Sequence, residues 1–193
     1  VLTGAADGYY RMAGKPASTL LHLGPGLANG LANLHNAKKA NSSVVNVVGE
    51  HTTYHIKHDA PLTSDIEGVA RPMSHWVRTS LSSLDVAADG AAAIEAATQA
   101  PGQIATLILP ADTAWGPAEK VVTARPTSPR AKVHESAVKG AAEMLSNGKK
   151  TTLLLAGPAL TEEGLQIAGR IAGKTGCGLL SEGANARLAR GAG

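Results

Sequence analysis

Gly24, Pro25 and Gly26 have the composition of a turn that can approach a ligand closely. They follow an apolar run that predicts a β-strand and precede a pattern of leucines that predicts a helix. Backbone amides and the N-terminus of that helix can then face a ligand without side chains in the way. A plain strand-to-helix turn, which needs only flexible dihedral angles, is the alternative interpretation.

Two polar residues flank this turn. His22 lies two residues before Gly24, and Asn29 lies three residues after Gly26. An imidazole titrates near neutral pH and suits proton transfer, although a single histidine in an apolar strand is also typical of a core or surface residue. Asn29 either braces the turn, points toward a ligand or faces solvent. Both residues are candidates for a site at this junction.

Three histidines, His51, His55 and His58, follow the next predicted strand. Their spacings of four and three residues are compatible with one face of a helix, which would suit a metal site. The residues at 52–54 are Thr, Thr and Tyr, which favour an extended loop instead. We therefore interpret the three as solvated loop histidines and predict no metal site here.

The elements that must position these residues alternate between strand and helix. This alternation predicts an α/β fold, a parallel sheet with helices on both faces. Strands are predicted at 17–23, 43–48, 75–78 and 103–109, and helices at 1–12, 27–39, 66–70 and 86–99.

The alternation stops after the last of these strands. Residues 111–132 contain Pro117, Pro126 and Pro129, which predict irregular structure. Beyond them the pattern returns, with helices at 135–145 and 162–174 and strands at 151–156 and 177–180. The sequence thus predicts a first domain over 1–114, a linker over 115–132 and part of a Rossmann-like α/β domain over 133–193.

Composition excludes several classes of partner. The net charge is +3, but the longest basic run has two residues, which predicts no nucleic-acid partner. A single cysteine, Cys177, excludes an internal disulfide and favours a reducing compartment. No apolar run has membrane-spanning length, and Asp7 and Arg11 come too early for a signal peptide. We therefore expect a cytoplasmic protein without a membrane partner.

Several motifs together resemble a known family. They are AADGYYR at 5–11, GPG at 24–26 followed by Asn29, and an apolar strand that ends at Gly49. In this order they resemble the pyrimidine-binding domain of thiamine diphosphate (ThDP) enzymes, among them acetolactate synthase large subunits and benzoylformate decarboxylases. AGPAL at 156–160 is similar to the start of their central Rossmann-like domain. Both ends of the chain look cut, as in a piece of a longer protein.

The resemblance implies a set of roles. Gly24, Pro25 and Gly26 would form the wall against which the aminopyrimidine of ThDP lies, with Asn29 beside it. The activating glutamate of the family would stand just before Val1, and the Mg²⁺ site would lie in a C-terminal segment that this sequence lacks. The resemblance leaves FAD binding open. It also implies a 2-keto acid substrate and a homo-oligomer with each active site shared between two subunits, so that this piece alone would be inactive.

Two residues divide the family. In benzoylformate decarboxylases a catalytic histidine stands where this sequence has His22. Acetolactate synthases have an aromatic residue and then Gln where Pro61 and Leu62 stand, and Leu62 cannot donate the hydrogen bond of that Gln. We interpret the chain as acetolactate-synthase-like, acting by decarboxylation and carboligation, with a benzoylformate-decarboxylase-like lyase as the alternative. A non-catalytic nucleotide- or FAD-binding module is a second alternative, weakened because the third glycine of GPGLANG does not have the spacing of a dinucleotide-binding fingerprint.

Overall fold

The computed structural model describes residues 1–127, 129, 131–183, 185 and 187–189. The chain divides into two compact units, Val1–Ser128 and Pro129–Gly193. This division falls inside the segment that the sequence predicts as a linker, while the domain bounds themselves stay a prediction.

The first unit is built on a four-stranded sheet in which every pairing is parallel. Its strands lie in the order β1-β2-β4-β3. They are β1 (Ala17–His22), β2 (Val44–Glu50), β3 (Trp76–Thr79) and β4 (Ile104–Pro110). The carboxyl ends of parallel strands meet at one edge of a sheet, which is where α/β proteins bind ligands.

Six helices accompany this sheet among the described residues. They are α1 (Leu2–Ala13), α2 (Leu23–Ala28), α3 (Leu31–Lys39), α4 (Ile66–Ala70), α5 (Val86–Thr98) and α6 (Ala111–Trp115). Apolar residues of α1 to α4 pack with one face of the sheet, and α5 covers the other face through Ala93 and Ala97. The parallel sheet with helices on both faces is therefore as predicted.

The helix predicted at 27–39 is interrupted, and that prediction was wrong. One helix ends at Ala28 and the next begins at Leu31. The buried Thr3 hydroxyl donates to the Gly30 carbonyl at 3.2 Å, and a Cβ on Gly30 would lie 2.8 Å from Thr3 Cγ2. The break lets α1 pack against the start of α3, because Gly30 has no side chain there.

The irregular structure predicted from residue 111 onward was wrong for its first five residues. Ala111–Trp115 form α6, in which the buried Thr113 hydroxyl donates to the Pro110 carbonyl at 2.8 Å. Because the first proline of the segment comes only at Pro117, one helical turn fits before it.

A row of buried polar side chains crosses the sheet. Thr19 Oγ1 donates to Asn46 Oδ1 at 2.7 Å, and Asn46 Nδ2 donates to Thr106 Oγ1 at 3.2 Å. Thr106 also shares a hydrogen bond of 2.7 Å with Ser74. Thr19, Asn46 and Thr106 are register partners on three adjacent strands. A slip by one residue would leave these buried groups without partners, so the row favours one register.

The second unit contains a βαβ arrangement. It comprises α7 (Glu135–Ser146), β5 (Thr152–Leu155), α8 (Glu162–Thr175) and β6 (Gly178–Ser181), and the two strands pair in parallel. The hydroxyl of Thr161 accepts from the Gly164 amide at 3.3 Å and caps the N-terminus of α8. Its C-cap is Gly176, with φ of 71°. These elements lie where the sequence predicts them. Within the described residues of the whole chain, no helix is long and apolar enough to cross a membrane.

Candidate functional site

The candidate site lies at the carboxyl edge of the four-stranded sheet. In the register of the sheet His22, the last residue of β1, pairs with Gly49, and Glu50 at the end of β2 pairs with Pro110. The segments that follow these ends are α2, the loop over 51–65 and α6. Three parts of the chain that are distant in sequence therefore start from this edge.

The bend out of β1 is made by a leucine. Leu23 is buried and has φ of 55°, in the left-handed region, whereas Gly24, Pro25 and Gly26 form the first turn of α2. A non-glycine residue in this region costs on the order of 1–3 kcal/mol and persists only when its surroundings impose it. The predicted junction of strand and helix is present, but the glycines do not provide the bend.

Two of these three residues remain accessible to a ligand. Gly24 is buried, because the hydroxyl of Ser64 occupies the place where a Cβ on Gly24 would stand. Pro25 is exposed and Gly26 is half-buried. Because α2 has only six residues, few peptide dipoles add up along it. Its N-terminus therefore attracts a ligand less strongly than the sequence predicts. The open face of the turn is thus Pro25 and Gly26.

His22 and Asn29 lie on either side of α2. Side chains of β1 alternate between buried and exposed, and His22 falls on the exposed face together with Leu20, which is 73% exposed. Asn29 is the C-cap of α2, and its amide donates to the Pro25 carbonyl at 3.1 Å. It too is exposed. Both predicted site residues are exposed, and their roles stay predictions.

The loop over 51–65 brings the three histidines together. Ile56–His58 form a short 3-10 helix in place of the predicted extended loop. The ring centroids of His51 and His55 lie 5.6 Å apart, as do those of His55 and His58. We name these three rings the histidine row. In the described part of the chain, no group of three or more His, Cys, Asp or Glu side chains is arranged to hold a metal ion.

Two hydrogen bonds hold the loop to α6, the helix that directly follows β4. Asp112 accepts the Thr53 hydroxyl at 2.5 Å and the Thr53 amide at 2.9 Å. The hydrogen bond from the Thr53 hydroxyl, followed by that from its amide, lowers the pKa of Asp112. At the start of the loop the His51 amide donates to Glu50 Oε1 at 2.7 Å. Leu62, near the end of the loop, is 43% exposed and available to line a pocket.

Sequence reasoning missed the contribution of Asp112 and Ser64. A carboxylate just after a buried strand marks the ligand edge of a parallel sheet, so the position of Asp112 carried a usable signal. The contact of Ser64 with Gly24 carried none, because it joins two segments through a loop whose path depends on tertiary packing.

Residues 1–69 match the family described as "Thiamine pyrophosphate enzyme, N-terminal TPP binding domain", thiamine pyrophosphate being a synonym of ThDP. The chain carries this ThDP-enzyme domain. The match covers the motif at 5–11, the turn at 24–26 and strand β2. The resemblance inferred from these motifs is thereby confirmed.

A relative from Mycobacterium tuberculosis, named "Putative acetolactate synthase large subunit IlvX", extends the likeness beyond this domain. It is 50% identical over 193 residues, which are 100% of this chain and 37% of the relative. The chain thus spans little more than a third of that protein.

Solved ThDP-enzyme structures share the fold. A "putative thiamin diphosphate-dependent enzyme" from Mycobacterium smegmatis matches with a TM-score of 0.85 and 24% identity, over 95% of this chain and 36% of that one. The 4-hydroxybenzoylformate decarboxylase of Rhodococcus jostii RHA1 matches with a TM-score of 0.83 and 21% identity, over 93% of this chain and 35% of that one. At these identities the two matches support the fold, and the predicted fold class is confirmed.

Proposed function

We propose that this chain is the pyrimidine-binding part of a ThDP-dependent enzyme that decarboxylates a 2-keto acid and joins the product to a second carbonyl compound, as an acetolactate synthase does. The observation that carries the proposal is the accessible turn at Pro25 and Gly26, which lies at the carboxyl edge within the matched ThDP-enzyme domain. The name of the relative that is 50% identical over the whole chain supports the same reaction class.

The residues of this edge fit an aromatic ring. Pro25 exposes an apolar surface, and Gly26 beside it has no side chain to hold a ring away. Gly24 packs under Ser64, and this contact joins the platform formed by Pro25 and Gly26 to the loop over 51–65. ThDP, when bound, would supply a nucleophilic C2 carbon that adds to the keto carbon and a cationic thiazolium ring that accepts the electron pair released by decarboxylation. In this proposal the chain positions the aminopyrimidine, while Mg²⁺ would bind to other segments of the whole protein.

His22 is proposed to move protons to and from the substrate. It is exposed at the end of β1, directly before the turn that holds the platform. An imidazole in this position can act as acid or base near neutral pH. With the apolar Leu62 in place of a hydrogen-bonding Gln, His22 favours the second candidate function, a benzoylformate-decarboxylase-like lyase.

A second subunit is part of the proposal. ThDP enzymes of this type share each active site between two subunits, and this chain alone would then be inactive. A binding module without chemistry is less favoured, because the matched family consists of enzymes. We further propose a cytoplasmic location.

The test uses the full-length protein that contains this chain. Release of CO₂ from pyruvate and from benzoylformate is measured with and without ThDP and Mg²⁺, and acetolactate is assayed as a separate product. We expect ThDP-dependent release of CO₂ with one of the two acids, and absence of turnover with every 2-keto acid tried would refute the proposal.

A His22→Ala variant separates the two candidate reactions. If His22 relays protons, decarboxylation falls by about 10²-fold or more in the variant. Decarboxylation at the wild-type rate removes the proton-relay role and leaves the acetolactate-synthase-like reaction. His35→Ala, on the exposed surface of α3, serves as the matched control.

A further inference from the structure

Three buried polar atoms in the described residues have no hydrogen-bond partner: His51 Nε2, Thr63 Oγ1 and Ser80 Oγ. Buried polar groups are nearly always paired, so each exception calls for an explanation. His51 and Thr63 lie at the two ends of the loop over 51–65, and Ser80 directly follows β3. His51 and Ser80 directly follow the carboxyl ends of β2 and β3, and Thr63 lies in the loop that leaves β2.

His51 is held in place by its surroundings. Its amide donates to Glu50 Oε1 at 2.7 Å, and its ring lies 5.6 Å from that of His55. Two residues later, Thr53 is fastened to Asp112 by two hydrogen bonds. These contacts hold the backbone around His51, and a backbone held before the ligand arrives lowers the entropic cost of binding.

Both ends of the loop adjoin the platform. His51 follows Gly49 by two residues, and Gly49 is the register partner of His22. At the other end Thr63 precedes Ser64, whose hydroxyl packs on Gly24. The unpaired atoms thus belong to residues that adjoin, in sequence, the register partner of His22 on one side and the residue packed on Gly24 on the other.

We infer that His51 Nε2 and Thr63 Oγ1 bind the carboxylate of the 2-keto acid as hydrogen-bond donors. The inference rests on the proposed function and adds two substrate-binding residues to it. An imidazole N–H and a hydroxyl both donate, and a carboxylate offers two acceptor oxygens. Glu50, the nearest carboxylate in sequence, is engaged with the His51 amide and leaves Nε2 free for an anion.

The test compares binding with turnover in the full-length protein loaded with ThDP. The probes are benzoylformate and its neutral methyl ester, and the variants are His51→Gln and Thr63→Val. A hydrogen bond to a charged group contributes about 1.5–3 kcal/mol, so we expect each variant to raise the KM for the acid about tenfold or more. Affinity for the ester should change little. His35→Gln is the control, since His35 lies on the exposed face of α3.

A direct readout keeps this inference separate from the proposed function. In protein labelled with ¹⁵N at histidine, benzoylformate should shift the ring signals of His51 and leave those of His35 in place. Such a shift without any turnover would refute the proposed function and support the anion site. Unchanged affinity in either variant removes that residue from the site. Unshifted His51 signals at saturating benzoylformate overturn the inference, whether or not either variant folds.

Discussion

The hydroxyl of Ser64 fills the space in which a Cβ of Gly24 would stand. This contact joins the loop over 51–65 to the turn that begins α2, so the two segments of the candidate site form one packed unit. Gly24, which the sequence predicts as a ligand contact, is therefore needed for packing within the protein.

We expect Gly24→Ala to destabilise the first unit by about 1–3 kcal/mol, because the added methyl group must displace Ser64. Urea unfolding of the chain measures the change. Gly8→Ala is the control: a Cβ there meets nothing within 4 Å, and alanine in a helix interior should raise stability by about 0.5–1 kcal/mol. Equal effects of the two substitutions would contradict the packing account.

Asn46→Leu should destabilise the chain by about 1–3 kcal/mol, because the buried Thr19 and Thr106 each lose a hydrogen-bond partner. Replacing Thr19 by Val in the same variant removes one unpaired group and should restore part of the loss. Thermal or urea unfolding gives both values. If the losses of unfolding free energy from the two substitutions simply add in the double variant, Thr19, Asn46 and Thr106 do not form a coupled network.

His75 should make stability depend on pH. Its Nδ1 accepts from the Ile104 amide at 3.0 Å, and burial, followed by the charge of Lys38, lowers its pKa from 6.5. The unfolded chain then takes up a proton at higher pH than the folded chain. The stabilisation is complete above pH 6.5 and is lost as the pH falls through the folded pKa.

The free energy of unfolding, measured from pH 8 down to about pH 5, checks this dependence. His75→Asn keeps an acceptor near the Nδ1 position but does not titrate, so its curve should be flatter than that of the wild type. Parallel curves would show that another group causes the dependence.

Asp112→Asn should loosen the loop over 51–65. The variant lacks the charge that binds the Thr53 amide and hydroxyl, so hydrogen exchange at the Thr53 amide should become faster. In the wild type the same loosening should appear only as the pH falls through the folded pKa of Asp112, which lies below 3.8. Asp59→Asn, at an exposed carboxylate within the loop itself, is the control. Equal exchange at the Thr53 amide in the two variants would contradict the proposed role of Asp112 in holding the loop.

Most strands and helices could be predicted because each carries a periodic pattern of its own. The β-branched run of β2 and the apolar run of β4 are typical of strands in a parallel sheet, and alternation with helices fixes the class. The break at Gly30 could not be predicted, because it depends on a contact with Thr3 from another helix. Short α6 was missed since five residues carry too little periodicity.

The site was predictable to a lesser extent. The turn at 24–26 falls between two clear elements, so its place at the carboxyl edge followed from the pattern. Its internal geometry did not, because the positive φ falls on Leu23, a residue type that disfavours it. The histidine row and the unpaired Nε2 of His51 depend on how the loop folds back on β4, and spacing alone does not encode that path.

The central claim is that ThDP binds at Pro25 and Gly26, and calorimetric titration of the full-length protein with ThDP in the presence of Mg²⁺ tests it most directly. The account predicts saturable binding to the wild type and a loss of at least tenfold in affinity for Gly26→Val, because a Cβ at position 26 would already lie 3.4 Å from His22 Cβ and the larger side chain would distort the turn. Equal affinity of the wild type and the variant, or no binding of ThDP to either, would contradict it.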